Sequence, residues 1–266
     1  QKELGPEYYL VGKTHMKLGN VLRDLGELNQ AKESHHLALT ILLKAGGPEH
    51  VDVGITYRNL GIVHKHLQDL DEAKKYFELA LPILQKELGP EYYLVGKTHL
   101  KLGNVLRDLH KLNQAKESYD RARTILLKEF GPEHVYVGET YYNLGIVHKD
   151  LSDLNQAKMY FELALPILQK ELGPEYCLVG KTHMKLGNVL RDLGELNQAK
   201  ENYDRALTIL LKEFRHGHRL VKMINDSLVK IKQLPENSLR SSGSFGKRPI
   251  GSGHPGLVPT KRSKKM

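Results

Sequence analysis

Lys181-Thr182-His183-Met184-Lys185-Leu186-Gly187-Asn188-Val189-Leu190-Arg191-Asp192-Leu193 occurs almost unchanged from Lys13 to Leu25 and again from Lys97 to Leu109. A related stretch, Thr56-Tyr57-Arg58-Asn59-Leu60-Gly61-Ile62-Val63-His64-Lys65, lies between the first two copies. Its partner, Thr140-Tyr141-Tyr142-Asn143-Leu144-Gly145-Ile146-Val147-His148-Lys149, lies between the last two. His183, Leu186, Gly187 and Leu190 fall on one face at helical spacing, so the copied segment reads as a helix. Five copies of one helix imply a stack, because a single unit cannot bury its apolar face alone.

The prolines of the linkers fix the period. Pro6, Pro48, Pro90, Pro132 and Pro174 follow one another every 42 residues, with no insertion or deletion. Odd units read Pro-Glu-Tyr, as at Pro90-Glu91-Tyr92, and even units read Pro-Glu-His, as at Pro48-Glu49-His50, so the full period is a pair of units. Each unit reads as two helices. In the fifth, Pro174-Glu175 is expected to open the first, with proline at a helix start and glutamate at the positive end of the helix dipole. Gly194 ends it, as a residue that tolerates positive φ. The second helix runs from near Asn197 to about Phe214, with Ala199, Tyr203, Ala206 and Ile209 on one face. Gly187 costs about 1 kcal/mol of helix propensity, which is tolerable if a neighbouring helix comes close there. Pro82 and Pro166 fall inside second helices, where a kink rather than an end is expected.

Five letters at the start, Gln1-Lys2-Glu3-Leu4-Gly5, recur at 85–89 and 169–173, so residues 1–5 read as the end of an upstream repeat. The repeats then occupy 6–47, 48–89, 90–131, 132–173 and 174–215. Leu220, Ile224, Leu228 and Ile231 mark a degenerate helix over 216–234 that caps the array. From 235 to 266 Ser, Gly, Pro and Lys dominate, and a disordered basic tail is expected.

The net charge of +9 lies in residues 216–266. Residues 216–266 hold 11 Lys and Arg against 2 Asp and Glu, so residues 1–215 balance. A nucleic-acid interface on the repeats is therefore not expected. The single cysteine, Cys177, excludes a disulfide framework, and no apolar run approaches membrane-spanning length. Cytoplasmic placement is expected, with Lys261-Arg262-Ser263-Lys264-Lys265 as a candidate nuclear address. His15, His99 and His183 face the core. His64 and His66, His35 and His36, and His216 and His218 lack the helical spacing of metal ligands, so no metal site is expected. No nucleophile–base arrangement or phosphate loop stands out. No cofactor and no catalysis are expected.

Tyr141-x-x-Leu144-Gly145-x-x-His148, followed by Ala157-x-x-x-Phe161 and Ala164, resembles the tetratricopeptide repeat signature. The long period and the Leu-Gly-Pro-Glu linkers resemble the kinesin light chain and nephrocystin type of this repeat. The resemblance implies an all-α, right-handed α-solenoid of tandem helix-turn-helix repeats. It also implies that the face of each first helix opposite its core lines a concave groove that holds extended peptides. That face carries Lys13, Lys17 and Asn20 in unit one, Lys97, Lys101 and Asn104 in unit three, and Lys181, Lys185 and Asn188 in unit five. In the even units it carries Asn59 and Asn143, with Ile55, Ile62 and Ile146 between. By resemblance these lysines and asparagines look like clamps for carboxylates and peptide backbone. Asparagine suits the task because its amide both donates and accepts. The expected partner is a protein or peptide, acidic with apolar anchors, and the expected function is that of a scaffold or adaptor. An alternative is the sensor or oligomerisation arm of a larger signalling NTPase or enzyme. An uncapped first repeat also offers a surface for self-association.

Overall fold

The computed structural model describes residues 6–214 and 217–233, and the expected basic tail over 235–266 lies outside them. Among the described residues there are eleven helices and no strand. First helices are α1 (Pro6–Asp24), α3 (Val51–His66), α5 (Tyr93–Asp108), α7 (Val135–Asp150) and α9 (Cys177–Asp192). Second helices are α2 (Leu28–Gly46), α4 (Leu70–Leu88), α6 (Leu112–Phe130), α8 (Leu154–Leu172) and α10 (Leu196–Glu213), and α11 (Arg219–Lys232) closes the stack. Each helix packs on the next in sequence, and each first helix also touches the next first helix. Second helices do not meet one another to the same extent, so the first helices follow the inner side of the curve. The architecture is a right-handed α-solenoid.

The helices do not start where the prolines suggested. Only α1 begins at its proline; α3, α5, α7 and α9 begin three residues later. The Pro-Glu pair sits in the preceding turn, and the third residue of the motif is the N-cap. In even units that residue caps chemically: His50 Nδ1 accepts from the Asp52 amide at 3.1 Å, and His134 Nδ1 from the Tyr136 amide at 3.1 Å. Tyr92 and Tyr176 make no such bond, which gives a physical meaning to the alternation of Pro-Glu-His with Pro-Glu-Tyr. The linker glutamates pair with a lysine late in the same unit's second helix: Glu49 with Lys86, Glu91 with Lys128, Glu133 with Lys170 and Glu175 with Lys212. These pairs are exposed and individually weak. Helices α4 and α8 run on through Pro82 and Pro166, whose rings face solvent.

The turn inside each unit needs a left-handed residue. Gly26 and Gly194 supply it at φ 81° and 80°. Gln68, His110 and Ser152 are forced to φ 62°, 59° and 65°. The motif holds them there: the Gln68 amide donates to Lys65 O and the Asp69 amide to His64 O, a Schellman arrangement. All three side chains are exposed. Glycine at each position relieves left-handed strain and adds entropy to the unfolded chain. The expected net gain is about 0.5–1 kcal/mol per site, to be read from urea midpoints. Equal or lower stability in the triple variant would refute the strain.

The interior follows one rule. An aromatic ring of the second helix lies on the glycine of the first. Built onto Gly103, a Cβ would meet the Tyr119 ring at 2.6 Å; on Gly187 it would meet Tyr203 at 2.9 Å. Phe77 and Phe161 do the same in units two and four, and all four rings are fully buried. Unit one departs from the rule. Its ring is His35, wholly buried on Gly19, with neither nitrogen hydrogen-bonded. On the second helix of unit five the buried set is Leu196, Ala199, Tyr203, Ala206 and Leu210; Ile209 is only half-buried. On α11 it is Val221, Ile224, Ser227 and Ile231; Ile224 and Ile231 of the expected stripe are buried, and Leu220 and Leu228 pack half-buried at its edge.

Candidate functional site

The inner face is made by the first helices, and its centre is a pocket of about 380 Å³ spanning four of them. Helix α1 supplies Arg23, α3 Arg58 and Ile62, α5 Lys97, Leu100 and Lys101, and α7 Tyr136 and Glu139. Four cations thus face one carboxylate. Helical spacing explains the assembly: Lys97 and Lys101 are one turn apart, as are Arg58 and Ile62. The neighbouring helices bring the two pairs together.

Arg58 is the unusual member. Its Nε is screened from solvent and has no hydrogen-bond partner, and no ion pair of Arg58 is seen among the described residues. Burial, with the Arg23 charge next, pushes its pKa down to about 10. Lys101 is also held below its ordinary value by burial; Glu139 opposes this, while Arg58, Lys65 and Lys97 add to it. Lys97 donates to the Tyr136 hydroxyl at 2.7 Å and lies 4.3 Å from that ring's centre. Arg23 pairs with Asp24 at 2.8 Å, so the excess positive charge rests on Arg58, Lys97 and Lys101 facing Glu139. An incoming anion would meet this excess of positive charge.

The other stripe residues divide. Lys185 repeats the situation of Lys101: burial lowers its pKa against Asp150, with Lys149 and Arg107 adding to the effect. Lys17 is exposed and Lys181 half-buried. Lys13 pairs with Asp52 at 3.6 Å, and Asp52 also accepts from the Tyr9 hydroxyl. The asparagines are largely occupied by the fold itself. Asn104 and Asn188 accept from the Tyr119 and Tyr203 hydroxyls, each at 2.7 Å. Asn143 accepts from Arg107 at 2.8 Å and donates to Glu139 O at 2.8 Å. Asn20 accepts from Arg23 at 3.3 Å. Asn59 is buried and its Nδ2 has no partner. Burial raises the pKa of Cys177, so its thiol stays protonated.

Arg58 escaped the stripe because it lies one residue before Asn59, toward the core. A signal was present. Its counterparts at multiples of 42 residues are Met16, Leu100, Tyr142 and Met184. One cation stands where four units place apolar or aromatic side chains.

The sequence pattern of the tetratricopeptide repeat matches residues 10–86 and 94–170, and a second pattern of that repeat matches 180–209. No match was found among curated proteins. Solved structures of similar fold include BtubC (BKLC) from P. vanneervenii, 20% identical with a TM-score of 0.66. That match covers 96% of this chain and 89% of the other. A Podosopora anserina protein described as a kinesin light chain with nearly identical TPR-like repeats is 18% identical at a TM-score of 0.63, over 76% and 96%. The apo form of RapI is 19% identical at 0.67, over 85% and 84%.

Proposed function

We infer the function of this chain from one premise: it belongs to the tetratricopeptide repeat family. That membership supports a protein-interaction scaffold in general terms. We propose that its groove holds an acidic linear segment, and that the segment's carboxylates seat in the pocket of Arg23, Arg58, Lys97 and Lys101. The observation that supports this reading is Arg58, a half-buried cation on the pocket wall whose Nε is screened from solvent and has no hydrogen-bond partner. Such a group is costly to keep in a resting protein, and a carboxylate ligand gives it a use. Ile62 and Leu100 on the pocket wall supply apolar contact for a side chain beside the acid. Lys185, desolvated in the same way one pair of units further on, extends the positive track along the groove.

Calorimetry with acidic and basic peptides of equal length tests the proposal. Acidic peptides are expected to bind, with an affinity that falls steeply with salt. Charge reversal at Lys17, Lys101 and Lys185 to glutamate is expected to weaken them at least tenfold. Equal binding of acidic and basic peptides, or unchanged affinity in the reversed protein, would overturn it.

A further inference from the structure

Helix α1 exposes what the other odd first helices bury. Val11, Leu18 and Val21 are 44%, 45% and 55% exposed. The same residues recur 84 and 168 positions on, and there all are covered: Val95, Val105, Val179 and Val189 at 0%, Leu102 at 6% and Leu186 at 4%. Thr14 is exposed as well, whereas Thr98 and Thr182 are wholly buried. Helix α2 packs on α1 as α6 does on α5 and α10 on α9, so the difference is the preceding helix pair. Its second helix, of the even type, is α4 against α5 and α8 against α9. The apolar face of α1 is therefore one whose covering helix is seen twice in the same molecule.

Two polar contacts accompany that cover in unit five. Lys158 of α8 donates to Glu195, at the N-cap of α10, at 2.7 Å. The Gln169 amide of α8 donates to His183 Nε2 at 3.4 Å. Unit one keeps both acceptors. Glu27 stands in the place of Glu195 at the N-cap of α2, exposed and making no capping bond. His15 stands in the place of His183 and is half-buried where His183 is buried. Unit three has Lys111 at the glutamate position, and there Lys74 of α4 pairs with Glu78 of its own helix at 2.8 Å. Unit one thus matches unit five, where the lysine crosses between units.

A second copy of the chain has no free helix of this kind to offer. Its α4 and α8 are covered by α5 and α9, and the far end of the described stack is α11. There Val229 continues the column of Gly19, Gly61, Gly103, Gly145 and Gly187. A Cβ at each of those glycines would meet a ring of the second helix within 3.0 Å, so Val229 closes α11 to such a helix.

We propose that the exposed face of α1 docks an even-type helix of a partner protein. That helix is apolar at the positions of Leu165 and Leu168, with a lysine at the position of Lys158 and an amide at that of Gln169. Its apolar side covers Val11, Leu18 and Val21, and its lysine pairs with Glu27.

The probe is a fluorescent peptide of residues 153–173, held helical by a staple joining the exposed positions 155 and 159. It is titrated into the whole chain and followed by anisotropy, and saturable binding is expected. The matching peptide of α6, residues 111–131, carries Arg123 in the place of Leu165, and it is expected to bind about tenfold more weakly. Glu27→Lys copies Lys111 of unit three, so it is compatible with the fold. It is expected to weaken the α8 peptide about fivefold, and Lys158→Glu in the peptide is expected to restore the loss. Val21→Glu, on the exposed face, is expected to abolish binding. No binding by the α8 peptide, equal binding by the α6 peptide, or a charge exchange that restores nothing would overturn the proposal. So would a chain that sediments as a dimer and becomes a monomer on Val21→Glu, because the face would then belong to a second copy. None of these outcomes bears on the groove.

Discussion

On acidification from about pH 7 to about pH 4, the first helix pair is expected to open before the rest of the array. The cause is His35. Burial, with the charges of Arg23 and His36 adding to it, pushes its pKa from the ordinary 6.5 down to about 4. Between those two values the unfolded chain binds a proton that the folded chain refuses. Stability from this group is therefore complete above about 6.5 and is lost as pH falls toward 4. The full loss is about 3 kcal/mol, at roughly 1.4 kcal/mol per pKa unit. His99 contributes with the same sign, its pKa also near 4 from burial. Unit one yields first because less packs on it: Leu18, Val21 and Leu25 of α1 are exposed, whereas Leu102 and Val105 of α5 are buried. In a stack held by nearest-neighbour contacts, a weak end opens alone.

His35→Phe copies the residue of units two and four, Phe77 and Phe161. It removes two unsatisfied buried nitrogens and the titrating group together. The variant is expected to gain about 1–3 kcal/mol at neutral pH and to lose most of the acid sensitivity of α1 and α2. Hydrogen exchange read segment by segment at both pH values checks this. Equal protection of α1–α2 and α9–α10 in acid, or a variant as acid-labile as its parent, would refute it.

The fold was legible because the copies are so alike that their spacing alone aligns them. Leu186 and Gly187 face inward for the same reason as Leu102 and Gly103. Helix starts were less legible. Pro-Glu is favourable at a first helical turn and equally favourable in a tight turn. In units two to five the pair falls in the turn, whether the next residue accepts a capping bond, as His50 does, or makes none, as with Tyr92. The groove stripe found Lys97 and Lys101 by spacing, but it could not reveal that Asn104 is already held by Tyr119. Such bonds cross between helices, and a pattern along one helix carries no record of them. His35 and Arg58 were visible in another way, as residues unlike their own counterparts at 42-residue intervals. In a chain of near-copies, a polar group in an apolar column marks either a fault or a use. His35 faces only its own core, whereas Arg58 faces a pocket.

That distinction makes Arg58→Met the variant with opposite expected effects on stability and binding. Met16 and Met184 occupy the same column, so the side chain fits the repeat. Removing a half-buried cation whose pKa burial has driven down to about 10 is expected to stabilise the chain by about 1–4 kcal/mol. On the proposed reading it also deletes one of the cations that hold the acid. Charge-assisted hydrogen bonds are among the stronger polar contacts, so affinity for an acidic peptide is expected to fall about tenfold or more. Arg58→Lys separates charge from shape. It retains the cation but loses the planar fork, so an intermediate affinity is expected. Denaturant titration and calorimetry on the same three proteins give both quantities. If Arg58→Met is destabilised, the guanidinium is a structural group satisfied in solution, and the groove loses its chief support. If it is stabilised while peptide affinity stays unchanged, the acid seats elsewhere. Only gain of stability together with loss of affinity fits a cation kept at a cost for a ligand.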